Sequence, residues 1–211
     1  GLLIPLTWLE DIFFLMKKNN SDMVSKCIYT QGKNIIDKSF VAQTYGYKRK
    51  RPCLPGSLIK INVFANVGNF LENVRAGYDI DFINRINSSN IKRVVDYTKP
   101  LEYYKTNYTS NLFNGFKKVF SYSLAGWITK GDKKPTLYFL FALFLFLSFL
   151  YNFNNIVILL YFIIRGYMIP HLKSFKNAIF TCPSFILFLP ISGLIIDVAR
   201  FSGYLFSLFN I

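Results

Sequence analysis

Residues 53–86 have the sequence CLPGSLIKINVFANVGNFLENVRAGYDIDFINRI. The pattern predicts a helix that starts at Ile59–Phe64 and is capped by Gly68, because glycine readily takes the left-handed conformation at a helix end. It also predicts an amphipathic helix from Asp79 to Ile86 with two carboxylates in its first turn. The apolar side of that second helix consists of Ile80, Ile83 and Ile86.

Helical and strand patterns alternate on both sides of this stretch, which is typical of an α/β domain. The predicted elements are a helix from Trp8 that closes at Lys17-Lys18-Asn19-Asn20, a strand from Asp22 to Tyr29, a helix at 34–45, a loop at 47–52, a strand at Lys92–Tyr97 and an aromatic helix from Leu112 to Trp127. The first 135 residues are therefore expected to form part of an α/β fold.

Composition separates the chain into two parts. The 211 residues carry a formal charge of +14 and are 52% hydrophobic, but only 17% are charged, against about a quarter in a soluble domain. Residues 1–135 hold 21 Lys/Arg and 10 Asp/Glu, whereas residues 136–211 hold four Lys/Arg and one Asp. The first part is therefore predicted to lie in water and the second in lipid.

Several protein classes are excluded by the same composition. The apolar content excludes a disordered chain. Three widely spaced cysteines, Cys27, Cys53 and Cys182, do not make a disulfide scaffold. A single histidine, His171, excludes a four-ligand zinc site and disfavours a histidine-dependent hydrolase.

The region after Pro135 predicts membrane helices. No charged residue occurs from 135 to 164, and Asn152, Asn154 and Asn155 divide this stretch into helices at 136–152 and 156–169, the second ending before Pro170. A third apolar segment, 178–196, contains helix breakers, so a kinked, a re-entrant and an interfacial helix all remain open. Asp197 and Arg200 follow it with i, i+3 spacing, which suits either an interfacial ion pair or a functional site.

The motifs in residues 53–86 resemble the second half of the catalytic domain of family-2 glycosyltransferases, which have a Rossmann-like GT-A fold. The likeness spans roughly residues 4–97 and includes the preceding Pro5-Leu6-Thr7-Trp8-Leu9-Glu10. The membrane helices that follow suit a lipid-linked subgroup of this family. The matching motifs are Gly56-Ser57, Val67-Gly68-Asn69-Phe70-Leu71-Glu72 and Gly77-Tyr78-Asp79-Ile80-Asp81-Phe82 with Arg85.

This resemblance implies that Asp79 is the base that takes the proton of the acceptor hydroxyl during inverting sugar transfer. Asp81 is expected to bond to the backbone or to Arg85, and Gly56 and Ser57 are further acceptor-side or donor-side candidates. The alternative for Asp79 is a helix cap. One departure from the family pattern is Tyr78, which stands where the family has Glu.

The nucleotide-binding half of that family, with its metal-binding Asp-x-Asp, has no counterpart in this chain. We therefore expect the chain to be a fragment that has no metal site of its own and is inactive alone. The parent enzyme is expected to use a nucleotide-sugar donor with Mg²⁺ or Mn²⁺.

The basic run Lys48-Arg49-Lys50-Arg51 lies just before Gly56-Ser57. Arg49 and Arg51 are candidate contacts for a diphosphate or an anionic lipid headgroup, and a solvated loop is the alternative. Nucleic-acid binding is not expected for a chain with membrane helices.

These observations predict residues 1–100 as half of a glycosyltransferase domain, 101–135 as an interfacial helical connector and 136–211 as membrane helices. Lysines before the first membrane helix, among them Lys130 and Lys133, place residues 1–135 in the cytoplasm of a multi-pass membrane protein. The expected partners are membrane lipid, a lipid-phosphate or glycan acceptor and the sugar donor. The alternative is a small non-enzymatic membrane protein with a basic cytoplasmic domain that scaffolds envelope assembly.

Overall fold

The computed structural model describes residues 2–30, 32–73, 76–103, 109–128, 134–150, 154–181 and 183–209. The chain is mixed α/β and forms two compact units. We call Gly1–Thr30 with Lys50–Thr106 the sheet unit, and Gln31–Arg49 with Asn107–Ile211 the helical unit. The sequence interpretation divides the chain near residues 100 and 135, whereas the structure groups residues 31–49 with the C-terminal helices.

Strands and helices are interspersed as far as residue 103, and the elements described beyond it are helical. The strands are β1 (Leu2–Leu3), β2 (Met23–Tyr29), β3 (Lys50–Pro52), β4 (Leu58–Ile59) and β5 (Arg93–Tyr103). The helices are α1 (Trp8–Lys18), α2 (Ile35–Thr44), α3 (Ile61–Val67), α4 (Tyr78–Asn87), α5 (Leu112–Ile128), α6 (Lys134–Leu150), α7 (Asn154–Ile163), α8 (Ile169–Lys173) and α9 (Pro183–Phe209). A π-helical turn, Ile164–Met168, joins α7 to α8, and a 3₁₀ turn, Ala178–Thr181, precedes α9.

The sheet unit is built around β2. This strand runs parallel to β5 on one side and antiparallel to β3 and β4 on the other, and β1 pairs antiparallel with the outer edge of β5. The parallel register sets Met23 opposite Arg93 and Lys26 opposite Asp96. Residues about 70 positions apart in sequence are thereby brought side by side.

Successive side chains of a strand point to opposite sides of the sheet. Six consecutive residues of β2 are buried, so both faces of this strand are covered. Met23 packs in a cluster with residues of α3 and α4, whereas Val24 packs with residues of α1. The helices therefore cover both faces of the sheet at β2. The fully buried side chains of these two clusters are Met23, Val24, Ile12 and Phe82.

The core of the helical unit lies around α2. Phe40 and Val41 are fully buried against Val119 of α5 and Ile196 and Ala199 of α9. Close packing here needs a residue without a side chain, since a Cβ at Gly115 of α5 would lie 2.4 Å from the Phe40 ring.

Two helical stretches, Asn155–Lys173 and Pro183–Phe209, are long and apolar enough to cross a membrane. The first comprises most of α7, the π-helical turn and α8. The membrane hairpin predicted from the sequence pairs 136–152 with 156–169. The structure gives α6 as a shorter apolar helix and extends the following helix to Lys173.

The predicted helix end before Pro170 is wrong, because the helix continues through this proline. Pro170 has no N–H to donate to a carbonyl one turn back. The side-chain amide of Gln43 donates instead to the Arg165 and Gly166 carbonyls, at 3.2 and 3.5 Å. The π-helical turn and this inserted amide together let the chain remain helical.

Other predictions need smaller corrections. Part of the predicted loop at 47–52 is strand β3, which pairs with β2. The segment 178–196 becomes a 3₁₀ turn followed by one long helix with Pro190 inside it. Ile80 is exposed rather than on the buried side of α4, which is formed by Phe82 and Ile86. Asn152, Lys130 and Lys133 lie outside the described residues.

Candidate functional site

The Gly56-Ser57 pair lies in the loop that joins β3 to β4. Gly56 has φ of +75°, and a Cβ there would lie 2.4 Å from Cδ1 of Leu101, so this position requires glycine. The Ser57 hydroxyl lies 3.1 Å from both the Ser25 hydroxyl and the Cys53 carbonyl oxygen. Gly56 therefore permits the turn of the loop, and Ser57 links the loop to β2 through its contact with Ser25.

The first turn of α4 carries Asp79 and Asp81, as the sequence predicts. Asp81 accepts a hydrogen bond from Nε of Arg85 at 2.9 Å, so of the two expected partners, the backbone and Arg85, the structure shows Arg85. Arg85 also donates to the Val67 carbonyl and, at 2.8 Å, to the Asn69 carbonyl. Asp81 and Arg85 thus hold α4 against the end of α3, so both side chains have a structural role.

Asp79 differs from Asp81 in its surroundings. The residue before the helix is Gly77, with φ of +88°, and no side chain caps this end. The Asp79 side chain is exposed and accepts one hydrogen bond, from the N–H of Ile80 at 3.0 Å. Within the described part of the chain it forms no ion pair, so its carboxylate remains open to solvent and to a ligand.

Charged groups near the loop and on α4 both act on the Cys53 thiol. Burial is the main reason that the pKa of the Cys53 thiol is raised to about 11; the Asp79 carboxylate adds to this rise, whereas Arg51 and Arg93 oppose it. Asp79, Arg51 and Arg93 are therefore near enough to Cys53 to act on its charge. We call Asp79, Arg51, Cys53, Ser57 and Arg93 the candidate site.

Arg93 is a member of this site that the sequence analysis missed. Its Nε lies 3.4 Å from the Ser25 hydroxyl, which in turn contacts Ser57. Burial lowers the pKa of Arg93. Only the parallel pairing of β5 with β2 brings Arg93 to this place, and no local sequence pattern reveals that pairing.

A buried ion pair lies beneath the loop. Nζ of Lys26 donates to the Asp96 carboxylate at 2.5 Å, and the Lys26 carbonyl accepts from the Cys53 N–H at 3.3 Å. Burial raises the pKa of Asp96, but hydrogen bonds from Lys26 and Thr98 outweigh burial and hold this pKa below 3.8. The pair fixes β2 to β5 at the point where the loop attaches.

The two predicted basic residues have different hydrogen-bond partners. Arg51, on β3, donates to the Thr30 hydroxyl at 3.3 Å within the sheet unit. Arg49 belongs to the helical unit and donates to the Lys173 carbonyl at 3.3 Å. Arg51 therefore remains part of the candidate site, whereas Arg49 belongs to a different group of residues.

A second polar cluster lies in the helical unit. The predicted pairing of Asp197 with Arg200 gives way to other partners. Asp197 pairs with Arg165, 2.6 Å from its Nε, and Arg200 donates to the Tyr138 hydroxyl at 3.0 Å. The partner of Asp197 is therefore supplied by the π-helical turn Ile164–Met168 and not by the helix α9 to which Asp197 belongs.

A cavity of about 330 Å³ opens near the end of α3, away from the predicted residues. Its lining residues are Asp22, Asn62, Val63, Asn66, Ser89, Asn90 and Ile91. Hydrogen bonds from Lys60 and Lys92 lower the pKa of Asp22. The carboxylate in this cavity is thus already paired.

Among the residues that the structure describes, no three His, Cys, Asp or Glu side chains come together to hold a metal ion. No family model, curated protein or solved structure matches this chain.

Proposed function

We propose that this chain is the acceptor-side part of a membrane-anchored glycosyltransferase. It would transfer a sugar from a nucleotide-sugar donor to a lipid-phosphate or glycan acceptor at the cytoplasmic membrane face. The observation that carries the proposal is the exposed Asp79 carboxylate at the start of α4, which forms no ion pair within the described residues and whose charge acts on Cys53 of the Gly56-Ser57 loop. The order of motifs over residues 53–86 is the second support.

The proposed step is a displacement at the anomeric carbon of the donor sugar. The acceptor oxygen attacks this carbon while its bond to the nucleotide diphosphate breaks and the diphosphate leaves with the electron pair. With a hydroxyl acceptor on a glycan, Asp79 takes the hydroxyl proton and the carboxylate ends as a carboxylic acid. A lipid-phosphate acceptor would attack through an ionised phosphate oxygen and would give up no proton.

The neighbours of Asp79 suit this role. Arg51 and Arg93, like Asp79, act on the charge of Cys53, and their positive charge would favour the anionic diphosphate as it forms. Asp81 and Arg85 hold α4 in place and so orient Asp79. Asp81 is bonded to Arg85, whereas Asp79 forms no ion pair within the described part of the chain.

The membrane assignment is the second part of the proposal. The two apolar helices would anchor the protein as a multi-pass membrane protein, with the sheet unit in the cytoplasm. The excess of lysine and arginine in residues 1–135 supports that orientation.

The test is sugar transfer by membranes containing the parent enzyme, or by this chain combined with a nucleotide-binding half, using a radiolabelled nucleotide sugar and lipid extraction. Asp79→Asn keeps the side-chain shape and is expected to lower turnover about 10²–10⁴-fold, the usual contribution of a general base. Glu102→Gln, a change at an exposed carboxylate on β5 outside the family-like motifs, is the matched control and should leave turnover unchanged.

Two results would contradict the proposal. Transfer by Asp79→Asn at the parental rate would show that Asp79 is not the base. Absence of transfer by the parent protein with every nucleotide sugar offered would favour a non-enzymatic scaffold for envelope assembly.

A further inference from the structure

One end of the helical unit gathers positive charge from two distant parts of the sequence. Lys173 and Lys176 lie at and just beyond the end of the apolar helix Asn155–Lys173. Lys48 and Arg49, about 125 positions earlier, lie against the same end. We call these four residues the basic end.

Specific contacts hold the earlier segment in place. The Tyr47 N–H donates to the Ser174 hydroxyl at 2.9 Å, and the Phe175 N–H donates to the Tyr47 carbonyl at 3.0 Å. Nη1 of Arg49 donates to the Lys173 carbonyl at 3.3 Å. These hydrogen bonds fix Tyr47 and Arg49 against the end of the apolar helix.

The turn that leads into this segment also fits tightly. Gly46 has φ of +91°, and a Cβ there would lie 2.1 Å from the Lys173 carbonyl oxygen. Only glycine can bring the backbone so close to the helix end. Nζ of Lys173 then reaches back to the Gln43 carbonyl at 2.8 Å.

Charge and apolar exposure coincide at this end. Lys48, Arg49 and Lys176 are exposed, and no acidic residue occurs in 45–50 or 165–182. Leu172 and Phe175 are 74% and 60% exposed beside these cations. Cations beside exposed apolar and aromatic side chains, at the end of an apolar helix, match the headgroup region of a bilayer.

We infer that the basic end binds the phosphate groups of anionic lipid headgroups. Lysine and arginine near an anionic membrane surface each contribute on the order of a fivefold gain in affinity. The apolar side chains would insert among the acyl chains and keep the cations at headgroup level. This inference depends on the apolar helices and the basic end, not on the proposed sugar transfer.

Native mass spectrometry of the full chain in non-ionic detergent tests the inference. The chain is titrated with phosphatidylglycerol and, separately, with phosphatidylcholine. Phosphatidylglycerol is expected to bind more tightly, and the preference should weaken as salt rises. The double variant Lys48→Gln/Arg49→Gln should lower the affinity for phosphatidylglycerol about 30-fold. The matched control is Lys17→Gln/Lys18→Gln, which changes two consecutive exposed lysines on α1 and should leave this affinity unchanged.

Two further variants distinguish a loss of positive charge from a loss of folding. Arg49→Lys retains the charge and should retain most of the affinity. Lys176→Gln removes one exposed cation and should weaken binding about fivefold. Equal affinity for both lipids, equal loss in the control pair, or full displacement of the lipid by millimolar inorganic phosphate would each overturn the inference. The last result would instead indicate a soluble phosphorylated ligand.

Discussion

The Asp197 carboxylate accepts two hydrogen bonds from Arg165, from Nε at 2.6 Å and from Nη2 at 3.0 Å. The hydroxyls of Tyr138 and Tyr161 donate to the same carboxylate at 2.7 and 3.0 Å. Nη1 of Arg165 donates to the side-chain oxygen of Gln43. A charge pair in an apolar helix bundle is tolerated only when its remaining donors and acceptors are satisfied in this way.

Removing one partner of this pair should therefore destabilise the helical unit strongly. Asp197→Asn leaves the Arg165 guanidinium buried without its counter-charge, and we expect a loss of about 3–5 kcal/mol in the free energy of unfolding. Asp11→Asn breaks an exposed ion pair with Lys99 and should cost less than about 1 kcal/mol. Denaturant titration of the detergent-solubilised chain measures both. Equal losses would mean that the Arg165–Asp197 pair contributes no more than a surface contact.

Gly56 offers a second stability test. Alanine there is strained by the left-handed backbone and also meets Leu101 at 2.4 Å, so Gly56→Ala should cost about 2–4 kcal/mol. Gly68 has φ of +79° but more room, since the nearest atom to a Cβ lies at 3.4 Å. Gly68, with ψ of 174°, has a backbone conformation that only glycine adopts readily, so Gly68→Ala should cost the backbone strain of about 1–3 kcal/mol without a clash. Gly56→Ala should cost more than Gly68→Ala, and an equal loss of unfolding free energy would mean that Leu101 moves aside.

Local sequence patterns predict the features that depend on neighbouring residues. The 3.6-residue period predicts α1 and α4. Arg85 is one of the two partners expected for Asp81, and the contact forms because residues four apart lie on one helix face. Gly68 ends α3 as predicted. Each of these features is decided within a few residues of chain.

Contacts between distant residues are not predictable in this way. Arg165 and Asp197 are 32 positions apart, and Gln43 lies 122 positions before Arg165. The sequence shows an asparagine-rich break and a proline, but not that a glutamine from α2 supplies the donor that Pro170 lacks. Arg93 joins the candidate site through strand pairing, which hydrophobic periodicity does not reveal.

The Lys26–Asp96 pair predicts how the sheet unit responds to acid. Its partners hold the pKa of Asp96 below 3.8, so the pair contributes its full stabilisation above about pH 4. That contribution is lost as pH falls through the lowered pKa of the folded state. Unfolding monitored by Trp8 fluorescence in a Trp127→Phe background should therefore show this loss only below about pH 4.

Two variants isolate this effect. Asp96→Asn abolishes this part of the pH dependence and leaves Lys26 buried without its counter-charge, at a cost of about 3–5 kcal/mol. Adding Lys26→Met removes the unpaired charge and should recover most of the lost stability. If the double variant is no more stable than Asp96→Asn, desolvation of Lys26 is not the cause of the loss.

The proposed membrane orientation can be tested with introduced cysteines. Cys27 is fully buried and the pKa of Cys53 is about 11, so both native thiols of the sheet unit react too slowly to report topology. Lys18 is exposed at the end of α1. In intact cells Lys18→Cys should be protected from an impermeant maleimide and should react after the membrane is opened. Labelling from outside would place the sheet unit on the other side.

The closeness of Asp79 to Cys53 can be measured without any substrate. A thiol with a pKa of about 11 instead of 9.0 carries about 100-fold less thiolate near neutral pH, so Cys53 should react slowly with iodoacetamide. Asp79→Asn removes a negative charge that raises this pKa and should speed alkylation, whereas Arg93→Gln removes a positive charge and should slow it. Asp81→Asn, two residues from Asp79, is the matched control and should leave the rate unchanged. Peptide-resolved mass spectrometry between pH 7 and pH 9.5 follows Cys53 separately from Cys27. If Asp79→Asn and Asp81→Asn react at the same rate, the Asp79 carboxylate does not face the Gly56-Ser57 loop and cannot serve as the base there.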